Sequence, residues 1–394
     1  MSSDPNARLD AELARIAGGL VETRRDLHRH PELAHEEHRT AGIAAARCRE
    51  LGFTVRTGVG GTGVLADLEG AGPGPTVLYR ADMDALPVDE GGGDRPARSE
   101  VPGLMHACGH DGHVAIALGV GEVMAGLRDG WRGTLRLCFQ PAEEHATGAL
   151  PMIGHGALDG VDHVLGLHLW TPLDTGRVAV TGSSLFGSAD EFRVVVRGTG
   201  GHGGLPHLSV DPVVAAAHVV VALQTLVARE VAPDRPAVVS VGLIRGGSAH
   251  NVIAGEVELR GTVRAPDQEL RESLMRRVEE VSRAVGSALR APVDFEMVAG
   301  CPPVVNDPGS AETVRRAAVE AVGEDHVEFA RPITVGDDMA CFLERVPGCY
   351  FLVGAGDPAR AVRPPHHHAD FDIDERALPV GVSTATRALL LWLR

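Results

Sequence analysis

Apolar positions open the chain at helical spacing. Leu9, Leu13, Ile16, Leu20 and Leu27 are separated by 4, 3, 4 and 7 positions, which keeps them on one face of a helix. A second helix is predicted from about Arg39 to Leu51, stopped by Gly52. Val77-Leu78-Tyr79 is a short apolar run that reads as a buried strand, with ADMDALP as the loop after it. A helix from about Gly112 to Leu127 follows, then strands Thr134–Phe139 and His163–Trp170. Strands that are apolar without alternation, interleaved with helices, indicate an α/β sheet covered on both faces.

The texture changes near Ser183. Strand Glu191–Arg197 leads through a Gly-rich turn into a helix from about Asp211 to Ala228. Strands Ala237–Leu243 and Glu256–Val263, a charged amphipathic helix Asp267–Leu289 and strand Val293–Val298 complete it. The order βαββαβ is that of a ferredoxin-like α+β unit, here an insertion of roughly 110 residues. After Gly300 the α/β texture returns with helix 310–322, strand 349–353 and a closing helix Glu375–Trp392. The expected domains are 1–184 plus 300–394, discontinuous, and 185–299, inserted.

Composition narrows the function classes. The 394 residues suit two domains. Basic residues number 37 and acidic residues 53, a net charge of −16, and the basic residues are all Arg. That balance argues against sequence-independent nucleic-acid binding and against polybasic attachment to membranes. The start of the chain is polar, with no apolar segment of the secretory kind. The long aliphatic stretch Val213–Val227, broken by His218 and Gln224, reads as a buried helix too short to span a bilayer. Cysteines 48, 108, 138, 301, 341 and 349 have no framework spacing, which points to unpaired thiols and the cytoplasm.

Candidate chemistry gathers in five places. MHACGHDGH (105–113) offers Cys108 and His110 two apart, so both reach one ion if the backbone is extended. A buried Cys with Asp111 capping a helix is its bland alternative. QPAEE (140–144) pairs two carboxylates at a strand end, where one can hold an ion and the other move a proton. Alone, such a pair is usually a solvated loop. His168 in GLHLW, the triple His of PPHHHADFDIDE (364–375), and Asp82 and Asp84 in ADMDALP complete the set. Acids like the last two often orient a ligating His.

Taken in order, these elements resemble the metal-dependent N-acyl-amino-acid amidohydrolases. This is the branch of hippurate hydrolase and indole-3-acetyl-amino-acid hydrolases, within the aminoacylase and carboxypeptidase superfamily. The likeness also covers RRDLHRHPELAHEE (24–37), GGHGGLPHLSVDPV (200–213), and AHNVIAG with GTVRA (249–265). The resemblance implies a centre for two divalent metal ions held by Cys108, His110, Glu144, His168 and one His of 366–368. His367 is chosen because the family's ligand lies four residues before the Phe that here is Phe371. Zinc suits the thiolate, with manganese, cobalt and nickel open. Glu143 is implied as general base and later acid. Asp82, Asp84 and Asp111 are expected behind the ligands.

The inserted domain resembles the family's lid and dimerisation unit. His202 is the position that reaches the scissile carbonyl of a partner copy, and Asn251 and Arg264 match positions that contact substrate. The implied substrate is a small N-acyl amino acid, and the implied assembly a homodimer or higher homo-oligomer. A dipeptidase or carboxypeptidase of the same superfamily is the alternative, as is a silent, metal-stabilised binding protein. Departures from the family pattern fall at VGDDM (335–339), Ala369 and EGGGDRPARSEVPG (90–103), all bearing on the substrate pocket.

Overall fold

The computed structural model describes residues 5–92, 95–360 and 362–394, with side chains from residue 7 onward. Residues 1–4 of the polar start, and Gly93 and Asp94 of the Gly-rich segment, lie outside the described residues. The chain divides into two compact units: 1–183 with 305–331 and 338–394, and 184–304 with 332–337.

The first unit begins with α1 (Pro5–Arg29) and α2 (His38–Glu50). Leu9, Ile16, Leu20 and Leu27 of α1 are buried in the main core. Gly52, at φ 86, carries the chain out of α2 in a backbone shape that suits glycine. Strands β1 (Thr54–Val59) and β2 (Gly63–Glu69) form an antiparallel hairpin absent from the sequence expectation. There follow β3 (Thr76–Asp82), α3 (His110–Gly126), β4 (Thr134–Gln140), α4 (Ala149–Gly154), β5 (His163–Asp174) and β6 (Val178–Val180).

The second unit opens with β7 (Ser184–Phe186), β8 (Ala189–Arg197), β9 (Gly201–His202) and α5 (Pro212–Thr225). It continues with β10 (Val238–Gly246), β11 (Val252–Ile253), β12 (Glu256–Arg264), α6 (Gln268–Ala288) and β13 (Val293–Cys301). After β14 (Val304–Val305) the chain re-enters the first unit as α7 (Pro308–Val322), β15 (Val327–Phe329), α8 (Ala340–Leu343), β16 (Gly348–Gly356) and α9 (Ala377–Trp392).

The first unit's sheet runs β1-β2-β4-β3-β5-β16-β6-β15. Its centre is parallel: β3 pairs with β4 and β5, and β5 with β16. Every residue of β16 is buried, as are Val77–Asp82 and Leu135–Gln140. Successive residues of a strand point to opposite faces, so both faces of this sheet are covered.

The second unit's sheet runs β10-β12-β8-β13, antiparallel throughout. With α5 and α6 the order is βαββαβ. Buried positions alternate along β12 and β13, so only one face meets the helices. α5 departs from the fully buried expectation. Ala215, Ala216, Val219 and Leu223 enter the core, while Val213, Val214 and Val221 face out, Val221 at 69% exposure. Residues 212–230 are long and apolar enough to cross a membrane by length and composition, but one face packs into the unit's own core.

Candidate metal centre

The centre is built at the carboxyl ends of parallel strands in the first unit. Cys108 and His110 converge there, but not through an extended backbone. Gly109 adopts φ 96 and serves as the cap of α3, so the chain turns sharply between the two donors. His110 Nδ1 donates to the Asp84 carbonyl at 2.8 Å, which turns its Nε2 inward. In the middle of β5, just past the end of its pairing with β3, His168 Nδ1 donates to the Leu169 carbonyl at 2.9 Å, and its Nε2 stands 3.6 Å from Cys108 Sγ. In both rings the backbone contact selects the tautomer that leaves Nε2 as a donor to a cation.

His113 is occupied otherwise. Its Nδ1 donates to Asp82 Oδ1 at 2.6 Å and its Nε2 accepts from the Leu169 N–H at 2.9 Å. It ties α3 to the strand that carries His168.

The loop after β4 brings the two glutamates. Ala142 and Ala146 both sit at φ 52, a left-handed shape that costs a non-glycine residue on the order of 1 kcal/mol. Glu143 Oε2 lies 3.9 Å and Glu144 Oε1 4.0 Å from His110 Nε2. The Glu144 N–H donates to Asp84 Oδ2 at 3.0 Å. Of the three consecutive histidines, His366 stacks on Trp170 at 4.6 Å and its Nε2 donates to the Leu169 carbonyl. His368 Nδ1 accepts from the Asp370 N–H. His367 places Nε2 3.3 Å from Glu144 Oε2, with its own backbone at φ 67 and its N–H on the Ala107 carbonyl. Its side chain is 54% exposed, so the cluster opens to solvent on that side.

Of five trios of possible donors among the described residues, two contain Cys108, namely Cys108, His110 and His168, and Cys108, Glu144 and His367, each with its donor atoms within 4.8 Å of one another. They share the Cys108 sulfur. Among the described residues, buried His110 Nε2 and Glu144 Oε1 have no hydrogen-bond partner. Leaving a buried polar atom unsatisfied costs roughly 1–3 kcal/mol, so the pattern fits a cation that these atoms would satisfy.

The electrostatics agree. Burial and the Glu144 carboxylate push the Cys108 thiol up. Burial opposes a charge on His110, yet Asp82 and the Cys108 sulfur outweigh it and hold the ring well above the usual range. Hydrogen bonds to Cys108 and Glu144 raise His367 to about 10. Burial, then His113 and His366, hold His168 well below the usual range. The raised rings of His110 and His367 thus report the Asp82 and Glu144 carboxylates beside them, which favour positive charge at the cluster.

The remaining predicted residues divide. Asp84 stands behind His110, with its carbonyl on Nδ1, whereas Asp82 holds His113 and places its other oxygen 3.8 Å from His110 Nε2, on the inward side of that ring. Asp111 turns away: its carboxylate takes Arg24 Nε at 2.8 Å and His28 Nδ1 at 2.7 Å, so it anchors α1 to α3 rather than holding a donor ring. In the second unit, His202 is exposed on β9, its Nδ1 accepting from the Gly204 N–H at 2.9 Å. Asn251 is exposed in the adjoining turn, its carbonyl accepting from Gly203 N–H. Arg264, half-buried at the end of β12, donates to the Val263 carbonyl and the Thr262 hydroxyl.

Sequence reasoning missed Arg80. Buried in β3, it donates to Asp82 at 2.6 Å, Asp338 at 2.9 Å and Gln140 at 2.9 Å. An Arg inside an apolar strand beside two acids was the available signal.

The fold and the donor cluster define a hydrolase of the metallopeptidase type. The profile of peptidase family M20/M25/M40 matches residues 78–391, and the chain belongs to that family. An N-acetyl-L-cysteine deacetylase of Bacillus subtilis (strain 168) is 39% identical over 367 residues, covering 93% of this chain and 86% of its own. An N-acyl-L-amino acid amidohydrolase of Geobacillus stearothermophilus is 41% identical over 288 residues, covering 73% and 78%. The crystal structure of the Bacillus subtilis YXEP protein, a dinuclear metal binding peptidase from the M20 family, matches with TM-score 0.84 and 31% identity over 96% of this chain and 99% of its own. The chain is a hydrolase acting on amides.

Proposed function

We propose that the protein is a dimetal amidohydrolase that releases free amino acids from N-acylated amino acids. The observation that carries this reading is the pair of donor trios sharing Cys108, with Glu143 alongside. The first ion would be held by His110 and His168, the second by Glu144 and His367, and Cys108 by its thiolate would serve both. The thiolate favours zinc over manganese, cobalt or nickel. Bound divalent cations supply Lewis acidity, lowering the pKa of water and polarising a carbonyl.

Glu143 takes a proton from the attacking water as its oxygen bonds to the acyl carbon. As the C–N bond breaks, Glu143 returns that proton to the leaving amine. The products are a carboxylate and a free amino acid. His202 of a second copy donates to the oxyanion. Arg264, by its planar fork, holds the substrate carboxylate, and Asn251 contacts the substrate beside it. The outer face of α5 and the open edge of β10, where Ile244 is 61% exposed, form the surface for that second copy. Cys48, Cys108, Cys138 and Cys349 are buried free thiols, which suits a reducing cytoplasm.

A panel of N-acetyl and N-benzoyl amino acids and dipeptides, run on metal-reconstituted enzyme, tests this. The expected result is free amino acid from acyl amino acids, abolished by chelator and restored by metal. Preference for dipeptides overturns the substrate class. No turnover at full metal loading overturns the enzymatic reading.

A further inference from the structure

We infer that Glu37 is a positioning residue that fixes the loop carrying Glu143 and Glu144; the inference rests on the roles proposed for those two. Glu37 is buried at the start of α2. A carboxylate at a helix start would ordinarily serve its own helix. Here Glu32 does that instead, accepting from the N–H groups of Arg39 and Thr40 at 2.8 Å each. Glu37 is thereby released for another task. Its Oε1 accepts from the Ala142 N–H at 2.9 Å and the His35 N–H at 2.9 Å, and its Oε2 accepts from the Thr62 hydroxyl.

One carboxylate therefore joins three segments: the connection after α1, the turn of the β1–β2 hairpin, and the loop after β4. The bond to that loop falls at Ala142, immediately before Glu143 and in the left-handed shape that alanine resists. A second clasp lies at the far side, where His35 Nε2 meets Thr147 Oγ1 at 2.9 Å. His35 is itself left-handed at φ 67. Two further carboxylates hold the same loop by backbone amides, Asp84 at Glu144 and Asp338 at Ala149. Remove Glu37, and Ala142 loses the acceptor that holds its unfavourable shape, so Glu143 swings on an unpinned backbone.

The test compares Glu37→Met, Glu37→Gln and Glu143→Gln at saturating metal on an N-acetyl amino acid. Methionine keeps the volume and removes the acceptor. Glutamine keeps Oε1 for both N–H groups and turns its NH2 to the Thr62 hydroxyl oxygen. Misplacing a base by about 1 Å costs about 100-fold, so Glu37→Met should lower kcat by about that factor with KM little changed. Weaker metal retention in chelator competition, by about 10-fold, should accompany it. Glu37→Gln should restore kcat to within about 3-fold of the parent. Should Glu37→Met not fold, Thr62→Val carries the test, with kcat lowered by about 5-fold as the carboxylate loosens.

An unchanged kcat in folded Glu37→Met or Thr62→Val, beside an inactive Glu143→Gln, overturns this inference alone. An active Glu143→Gln overturns the proposed mechanism and this inference with it.

Discussion

The two sheets place their chemistry in opposite ways. In the first unit the central strands are buried at consecutive positions, and the candidate site is assembled mostly from buried side chains, with His367 left on its solvent side. In the second unit buried positions alternate, one face of the sheet stays open, and the candidate residues His202 and Asn251 lie exposed on short turns. A sheet sealed on both faces can hold anionic donors away from water until a cation balances them. A one-faced sheet can display a group but gives it nothing to act on within the unit. Under the proposed function, the first unit carries the reaction and the second supplies groups such as His202 to a second copy.

Glu143→Gln should break the first half of this contrast most severely. Loss of a general base typically costs between 10²- and 10⁴-fold, so turnover should fall by about that range while metal analysis still finds the parent's content. Near-parent turnover on every cleavable substrate would remove Glu143 from its role. The second half of the contrast rests on His202. Losing an oxyanion donor costs roughly 10²–10³-fold, which is the fall expected in His202→Ala. Mixing and refolding His202→Ala chains with Glu143→Gln chains should then recover activity that neither shows alone. Absence of recovery, with mixed dimers demonstrated, would place His202 outside the partner's reaction.

Arg80→Met probes the sealed unit by stability rather than rate. Asp82 and Asp338 would be left buried without their shared cation, and breaking a buried pair in this way costs roughly 3–5 kcal/mol. Urea unfolding of the metal-loaded variant should report a loss of that size. A loss below about 1 kcal/mol would mean that Arg80 is not the counter-ion of this floor.

The same contrast governs what could be read from the chain. The helices of both units follow from apolar spacing, and the alternating strands of the second unit read cleanly because one face is wet. The β1–β2 hairpin escaped, because its edge strand is largely exposed and carries no apolar run. α5 was read as buried since valine on its outer face looks the same in sequence as valine in its core. At the site, the short-range motifs name side chains that converge in the fold, but the spacing argument for Cys108 and His110 assumes an extended backbone. Gly109 in a left-handed turn does that work instead. Asp111 is expected behind the ligands, but the helix start turns its carboxylate toward Arg24 and His28 instead. Arg80 beside Asp82 in an apolar strand signals a buried ion pair, but its contact with Asp338, 258 positions away, and that of Glu37 with Ala142, 105 positions away, leave no local pattern.

The smallest expected effect concerns Glu90, at the border of the sealed unit. Its carboxylate meets His28 at 3.4 Å and Arg95 at 2.9 Å and accepts from the Ser99 N–H. Burial disfavours its charge, but His28, the Ser99 N–H and Arg95 outweigh that and bring it from 4.5 down to about 2. A carboxyl depressed on folding stabilises the protein above its unfolded value, and that stability fades as pH falls from 4.5 toward 2. Partial exposure of the loop reduces the contribution to on the order of 2 kcal/mol at neutral pH. Glu90→Gln keeps an acceptor for Ser99 but does not titrate. Chelated wild-type and Glu90→Gln proteins, unfolded in urea at pH 6, 4 and 3, should therefore differ most at pH 6 and converge at the acid end. A gap that stays constant over this range would show that Glu90 acts through shape and not through charge.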